Sequence, residues 1–140
     1  MNLSTKNSQV ILASSSKTRK KILKNYKVKF KIEKHNIDEK KYIYNNEPIK
    51  TVKGIAKKKA ISIRKKFPKS IIIGSEQKLV HKKRIFTKPN SKKKAFQNFL
   101  MLRGEEYELL SAIYILKEGK FYWKTTKSAK LYMKKIKKNR

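Results

Sequence analysis

Apolar and polar positions alternate in two rhythms along the first hundred residues, and each rhythm predicts elements. Val10, Ile11 and Leu12 form a short aliphatic run suited to a buried strand. Ala13, Ser14, Ser15 and Ser16 bend the chain, and Arg19, Lys20 and Lys21 lead into Ile22 and Leu23, which fit a helix. In residues 27–34, Val28, Phe30 and Ile32 alternate with Lys29, Lys31 and Glu33, the pattern of a half-buried strand. From Pro48 onward Ile49, Val52, Ile55, Ala56, Ala60, Ile63 and Phe67 recur at spacings of three and four. That predicts an amphipathic helix over residues 48–67, ended by Pro68 and weakened slightly by Gly54. Residues 70–74 (SIIIG) read as a central strand, apolar on both faces.

The second half continues in the same manner. Residues 79–87 suit a hairpin that turns at His81, Lys82 and Lys83. Residues 91–102 carry Ala95, Phe96, Phe99, Leu100 and Leu102 as an apolar face, with Gly104 at the stop, and so predict another helix. Residues 107–116 and 121–126 read as strands joined at Glu118 and Gly119, and residues 128–133 extend that sheet. Alternating strands and helices predict one layered α/β domain over residues 1–133, followed by a basic tail over residues 134–140.

Composition narrows the function classes. A chain of 140 residues can bury a real core without staples. It has no cysteine, which excludes disulfides, thiolate metal sites and a cysteine nucleophile. No apolar run nears the roughly 20 residues that span a bilayer, and MNLSTKNSQ lacks a signal-peptide core. The expected location is cytoplasmic, with no membrane partner. A net charge of +31 favours polyanion partners, yet only five of the forty basic residues are arginine, the better reader of phosphate and guanine. The lysines are spread along the chain, so they predict non-specific nucleic-acid binding rather than sequence readout.

Candidate chemistry gathers at three places. A strand that turns through serines into a helix leaves backbone N–H groups and hydroxyls facing one spot, which holds an anion. An N-cap by Ser16 is an equally good reading of the same residues. Glu76 follows the SIIIG run, where α/β sheets place ligands. His35 and His81 lack metal-ligand spacing and read as surface residues. Residues 119–135 (GKFYWKTTKSAKLYMKK) interleave aromatics with lysines, as a base-stacking platform would. The plainer reading puts Phe121 and Trp123 together on the inner face of a strand, as core.

Four motifs stand in order along the chain. Leu12, Ala13, Ser14, Ser16, Arg19 and Leu23 make the first, and Ile37, Asp38 and Glu39 the second. Ile55, Ala56, Lys59 and Ala60 make the third, and Gly74, Ser75, Glu76 and Gln77 the fourth. Thr87, Lys88 and Pro89 follow, then Leu102, Arg103 and Gly104. In sequence and spacing these resemble the Maf family of nucleoside triphosphate pyrophosphatases, and the Gln77 form is more similar to the 7-methyl-GTP branch than to the dTTP and UTP branch. The resemblance implies a mixed, twisted β-sheet flanked by helices, incomplete at its C-terminal end. It implies hydrolysis of a nucleoside triphosphate, plain or modified, to the monophosphate and pyrophosphate. Ser14, Ser16 and Arg19 would cradle phosphates, with Lys59 and Lys88 adding charge. Glu39 and Glu76 would bind a divalent metal (Mg²⁺ or Mn²⁺), Glu76 would also be the general base, and Thr18 and Gln77 would tune base choice. All are expected around one cleft, and a homodimer is a further expected partnership.

Three departures temper that expectation. Glu76 stands where the family has Asp, and Lys17 and Thr18 replace its Pro and first Arg. Glu105, Glu106 and Tyr107 replace basic and polar residues after the Leu-x-Gly motif. The family's later Gly-rich segment and GLP-like end have no counterpart within 140 residues. The sequence therefore predicts a truncated member with weak or lost turnover. The competing class is a non-enzymatic, basic nucleic-acid-binding protein.

Overall fold

The computed structural model describes residues 9–14 and 17–135. Six strands form one mixed sheet: β1 (Val10–Leu12), β2 (Lys31–Ile32), β3 (Ile71–His81), β4 (Arg84–Phe86), β5 (Glu106–Lys117) and β6 (Lys120–Tyr132). Their order is β2-β1-β3-β5-β6, with β4 also on β3. β2, β1 and β3 run parallel, whereas β4 and β5 pair antiparallel with β3, and β6 antiparallel with β5. Helix α1 (Lys17–Asn25) covers one face, α2 (Pro48–Ser62) the other, and α3 (Lys92–Leu102) follows β4. No helix among the described residues is long and apolar enough to cross a membrane.

Period-two alternation explains how the sheet serves two cores. On the α2 face Ile11, Ala13, Ile72 and Leu116 pack with Ala60 and Ile63. On the α1 face Val10, Leu12, Ile71, Ile73 and Ile115 pack with Leu23, Val28 and Phe30. Further along, Val52 and Ala56 of α2 meet Val80, Leu110 and Ala112. Gly74 lets α2 lie close: a Cβ there would collide with the Ala56 carbonyl and come within 2.8 Å of Ala60 N.

β3 changes partners along its length, and this places the site. Its first residues, Ile71–Ile73, pair with β1, and Leu79–His81 pair with β4 on the same edge, since β5 occupies the other edge throughout. Among the described residues, 74–78 therefore have no strand neighbour on that edge. Glu76 sits within this interval, in mid-strand rather than beyond a strand end.

Several expectations need correcting. The α2 helix stops at Ser62, because residues 63–66 turn so that both Ile63 and Phe67 return to the core. β2 is only two residues, since β1 offers only Ile11 and Leu12 to pair with it. The apolar face of α3 is largely uncovered: only Leu102 is buried, and Phe96 is 53% exposed. Phe121 and Trp123 do not share a face. A bulge sets Phe121 opposite Leu116 and Trp123 opposite Ile115, which are consecutive and so face opposite ways. Both rings are exposed, because β6 is an edge strand that no helix covers.

Candidate functional site

Four segments bring their polar residues to the open edge of β3. β1 ends at Leu12, and Ser14, almost completely buried, follows it. The first turn of α1 then presents Lys17, Thr18 and Arg19 with no acidic residue among them. Next, a single 3-10 turn, Glu39–Tyr42, is started by Asp38, whose side chain accepts from Lys40 N at 3.3 Å. Asp38 thus shapes the turn and leaves Glu39 free to face α2. Lys59 comes from the buried side of α2, at only 4% exposure in a segment otherwise rich in solvated lysines. Glu76, Gln77 and Lys78 come from β3.

Lys59 is the centre of the arrangement. Its ammonium lies 2.8 Å from Glu39 Oε1 and 3.3 Å from Glu76 Oε2, and it donates to the Ser75 carbonyl at 3.4 Å. Arg19 reaches the other oxygen of Glu76 at 3.5 Å and donates to Ser14 Oγ at 3.4 Å. Lys78 adds a third cation, 3.8 Å from Glu76 Oε2. Glu76 Oε1 also accepts from the adjoining Gln77 N–H at 2.9 Å. A buried carboxylate ringed by three cations is compensated, whereas an unpaired one would cost several kcal/mol.

These groups border a cleft of about 570 Å³ lined by Ser14, Lys17, Thr18, Arg19, His35, Glu39, Lys59 and Lys88. The sequence-derived set therefore converges: Ser14, Arg19, Glu39, Lys59 and Lys88 share the cleft, with Glu76 behind it against Arg19 and Lys59. Ser16 lies outside the described residues. Thr18 also lines a neighbouring cavity of about 380 Å³ on the α1 face, together with Gln77, whose amide donates to Ser111 Oγ at 3.1 Å.

Sequence reasoning missed two residues and misjudged both histidines. Lys78 shares a strand face with Glu76, and the period of two could have flagged it. Lys17 was noted only as a departure. His35 is not a surface residue: its side chain is 16% exposed and its Nε2 lies 3.7 Å from Glu39. His81 is likewise largely covered, with Nδ1 3.1 Å from the Glu106 carbonyl.

Burial lowers the pKa of His35 below its ordinary 6.5, and the charge of Lys59 lowers it further against the pull of Glu39 and Glu76. For Glu39 burial acts upward, but the hydrogen bond and charge of Lys59, with Lys78 and His35, hold it below its ordinary 4.5. Both groups bind fewer protons folded than unfolded, so each stabilises the fold above its ordinary pKa and loses that contribution as pH falls. Urea unfolding across pH is therefore expected to show stability declining below about pH 6.5 and again below about 4.5. His35→Gln should flatten the upper part of that decline and Glu39→Gln the lower part. Equal slopes in parent and variants would contradict the assignment.

Comparisons with known proteins place the chain in a family. The sequence model described as Maf-like protein matches residues 9–140. The chain belongs to the Maf family. It is 32% identical over 133 residues to a nucleoside triphosphate pyrophosphatase of Pelagibacter ubique, covering 91% of this chain and 68% of that protein. It is 34% identical to a 7-methyl-GTP pyrophosphatase of Bartonella quintana, covering 91% of this chain and 66% of that one. A dTTP/UTP pyrophosphatase of Chlamydia trachomatis is 27% identical over 80% of this chain and 58% of its own. The chain thus spans about two thirds of the length of the curated relatives it matches. A HAM1 protein from Coxiella burnetii shares the fold, with a TM-score of 0.56 at 10% identity, over 88% of this chain and 70% of that structure. Mixed sheet and flanking helices are those the Maf resemblance implied.

Proposed function

We propose that this Maf-family chain carries a nucleoside triphosphate pyrophosphatase site, in which water attacks between the α and β phosphates and releases a monophosphate and pyrophosphate. The observation that carries this reading is Lys59, buried between Glu39 and Glu76 at the wall of a cleft rich in cations. Arg19, Lys17 and Lys88 bind the phosphate chain, and the positive end of α1 favours the same charge. The Ser14 hydroxyl, already within reach of Arg19, steadies that guanidinium and donates to phosphate. Lys59 holds the two carboxylates in register and offsets their repulsion. Glu76, held beside the cleft by Arg19 and Lys59, takes the proton from the attacking water.

Glu39 and Glu76 flank the Lys59 ammonium, near enough to each other to offer hard-oxygen donors to a divalent metal such as Mg²⁺ or Mn²⁺ beside it. No group of three or more ligating side chains occurs among the described residues, so phosphate oxygens and water would complete the shell. Glu39 and Glu76 would hold the ion, and when bound it supplies Lewis-acid polarisation of the phosphate. Thr18 and Gln77, lining the α1-side cavity, would contact the base.

A nucleotide panel that includes 7-methyl-GTP, dTTP and UTP tests the proposal. Pyrophosphate release is expected to be slow, to favour 7-methyl-GTP, and to fall at least tenfold in kcat/KM in Arg19→Ala. Release from no nucleotide, together with no triphosphate binding in the presence of Mg²⁺, would overturn it.

A further inference from the structure

A second groove runs between α2 and the β5–β6 ribbon, lined by lysines and by two packed aromatic rings. It encloses about 830 Å³, shares no lining residue with the cleft around Lys59, and meets the α1-side cavity only at Ala112 and Ile113. Lys50, Lys53 and Lys57 recur along one side of α2, a spacing that puts them on one helix face over about 10 Å. Lys124 of β6 faces them from the opposite wall. No carboxylate lines the groove, and none of the four lysines forms an ion pair among the described residues.

Two aromatic rings lie between these cations. Tyr114 and Phe121 pack at 5.5 Å between centroids, tilted by 48°. Lys57 lies 6.0 Å from the Tyr114 ring and Lys124 5.9 Å from the Phe121 ring. Phe121 is nevertheless 55% exposed. It is on this face only because of the bulge that sets it opposite Leu116; an unbroken ladder would place it beside Trp123 on the other side. Gly54 adds room, since a Cβ there would touch nothing within 4 Å.

We infer that this groove is a binding site for single-stranded nucleic acid, with the four lysines tracking phosphates and Phe121 offering its free face to a base. Spread charge alone would bind duplex and single strand alike through any part of the surface. An acid-free lysine row facing an exposed ring selects the single strand, because only unpaired bases expose a face to stack. The inference does not depend on the nucleotide site and stands if that site proves inactive.

The test compares two variants of equal net charge. One carries Lys50→Gln, Lys53→Gln, Lys57→Gln and Lys124→Gln; the control carries Lys92→Gln, Lys93→Gln, Lys94→Gln and Lys127→Gln. Binding of a labelled RNA of about ten nucleotides is measured by fluorescence anisotropy over a range of salt. Four phosphate contacts on a single strand account for a log–log salt slope of about three. The groove variant is therefore expected to lose about that much slope and more than tenfold in affinity, and the control far less. Phe121→Ala should weaken binding at least fivefold without altering the slope, and Phe121→Tyr should restore it. Equal losses in the two lysine variants would overturn the site, as would a Phe121→Ala chain that binds like the parent. Preference for a duplex of the same length, or for anionic vesicles with no response to Phe121, would overturn it too.

Discussion

Gly74→Ala is expected to destabilise the fold by about 3 kcal/mol or more, enough to lower the thermal midpoint by roughly 10 °C. The new methyl group would strike the Ala56 carbonyl and lie 2.8 Å from Ala60 N. Both are backbone atoms of α2, so no side chain can rotate away, and the helix as a whole must retreat from β3. That retreat would also move Lys59, which sits between Ala56 and Ala60 in the same turn and touches the Ser75 carbonyl at 3.4 Å. The loss should appear as a lower midpoint in circular dichroism melts and as weaker triphosphate binding at temperatures where the variant is still folded. A midpoint within about 2 °C of the parent would mean that α2 does not pack on β3 this closely.

Glu76→Gln is expected to remove turnover almost completely, by about 10²- to 10⁴-fold, the range that loss of a general base produces. The amide accepts no proton at neutral pH, holds a divalent cation poorly, and turns an N–H toward Lys59, Lys78 or Arg19. Stability should fall less than activity, because Lys59 retains Glu39 at 2.8 Å. Glu76→Asp gives the opposite expectation. The glutamate is one methylene longer than the family's aspartate and loops back to accept its neighbour's N–H at 2.9 Å. Shortening it withdraws the carboxylate by about 1 Å, a displacement that can change a rate by about 10²-fold. Pyrophosphate release should therefore rise in Glu76→Asp. Brisk release that is unchanged in Glu76→Gln would remove Glu76 from the reaction and the proposed mechanism with it.

The two variants separate the roles of neighbouring residues on one strand. Gly74 works through shape, by letting a helix approach. Glu76 works through charge, against the Arg19 and Lys59 that line the cleft. A stability measurement reads the first and a rate reads the second, so neither result can stand in for the other.

Local pattern determined much of this protein. The aliphatic run at Val10–Leu12, the three- and four-residue spacing from Pro48 and the SIIIG run each specify an element from neighbouring residues alone. The ordered motifs point Ser14, Ser16, Arg19, Glu39, Lys59 and Glu76 toward one cleft; Ser14, Arg19, Glu39 and Lys59 line it, and Glu76 contacts Arg19 and Lys59. What pattern could not supply was the environment of individual side chains. Lys59 looks like its neighbours Lys57 and Lys58, yet it alone turns inward, because the tight approach of α2 to β3 leaves its ammonium only Glu39, Glu76 and a carbonyl as partners. Those partners lie about twenty residues away on either side in sequence. His35 looks exposed in sequence because the strand segment before it carries no sign of Glu39 and Lys59 beside it. A period of two puts Phe121 and Trp123 on one face because it cannot register an extra residue, and only the pairing with Leu116 and Ile115 reveals it. Periodicity records what adjacent residues share; burial, charge pairing and register depend on segments distant in the chain, and tertiary packing decided those.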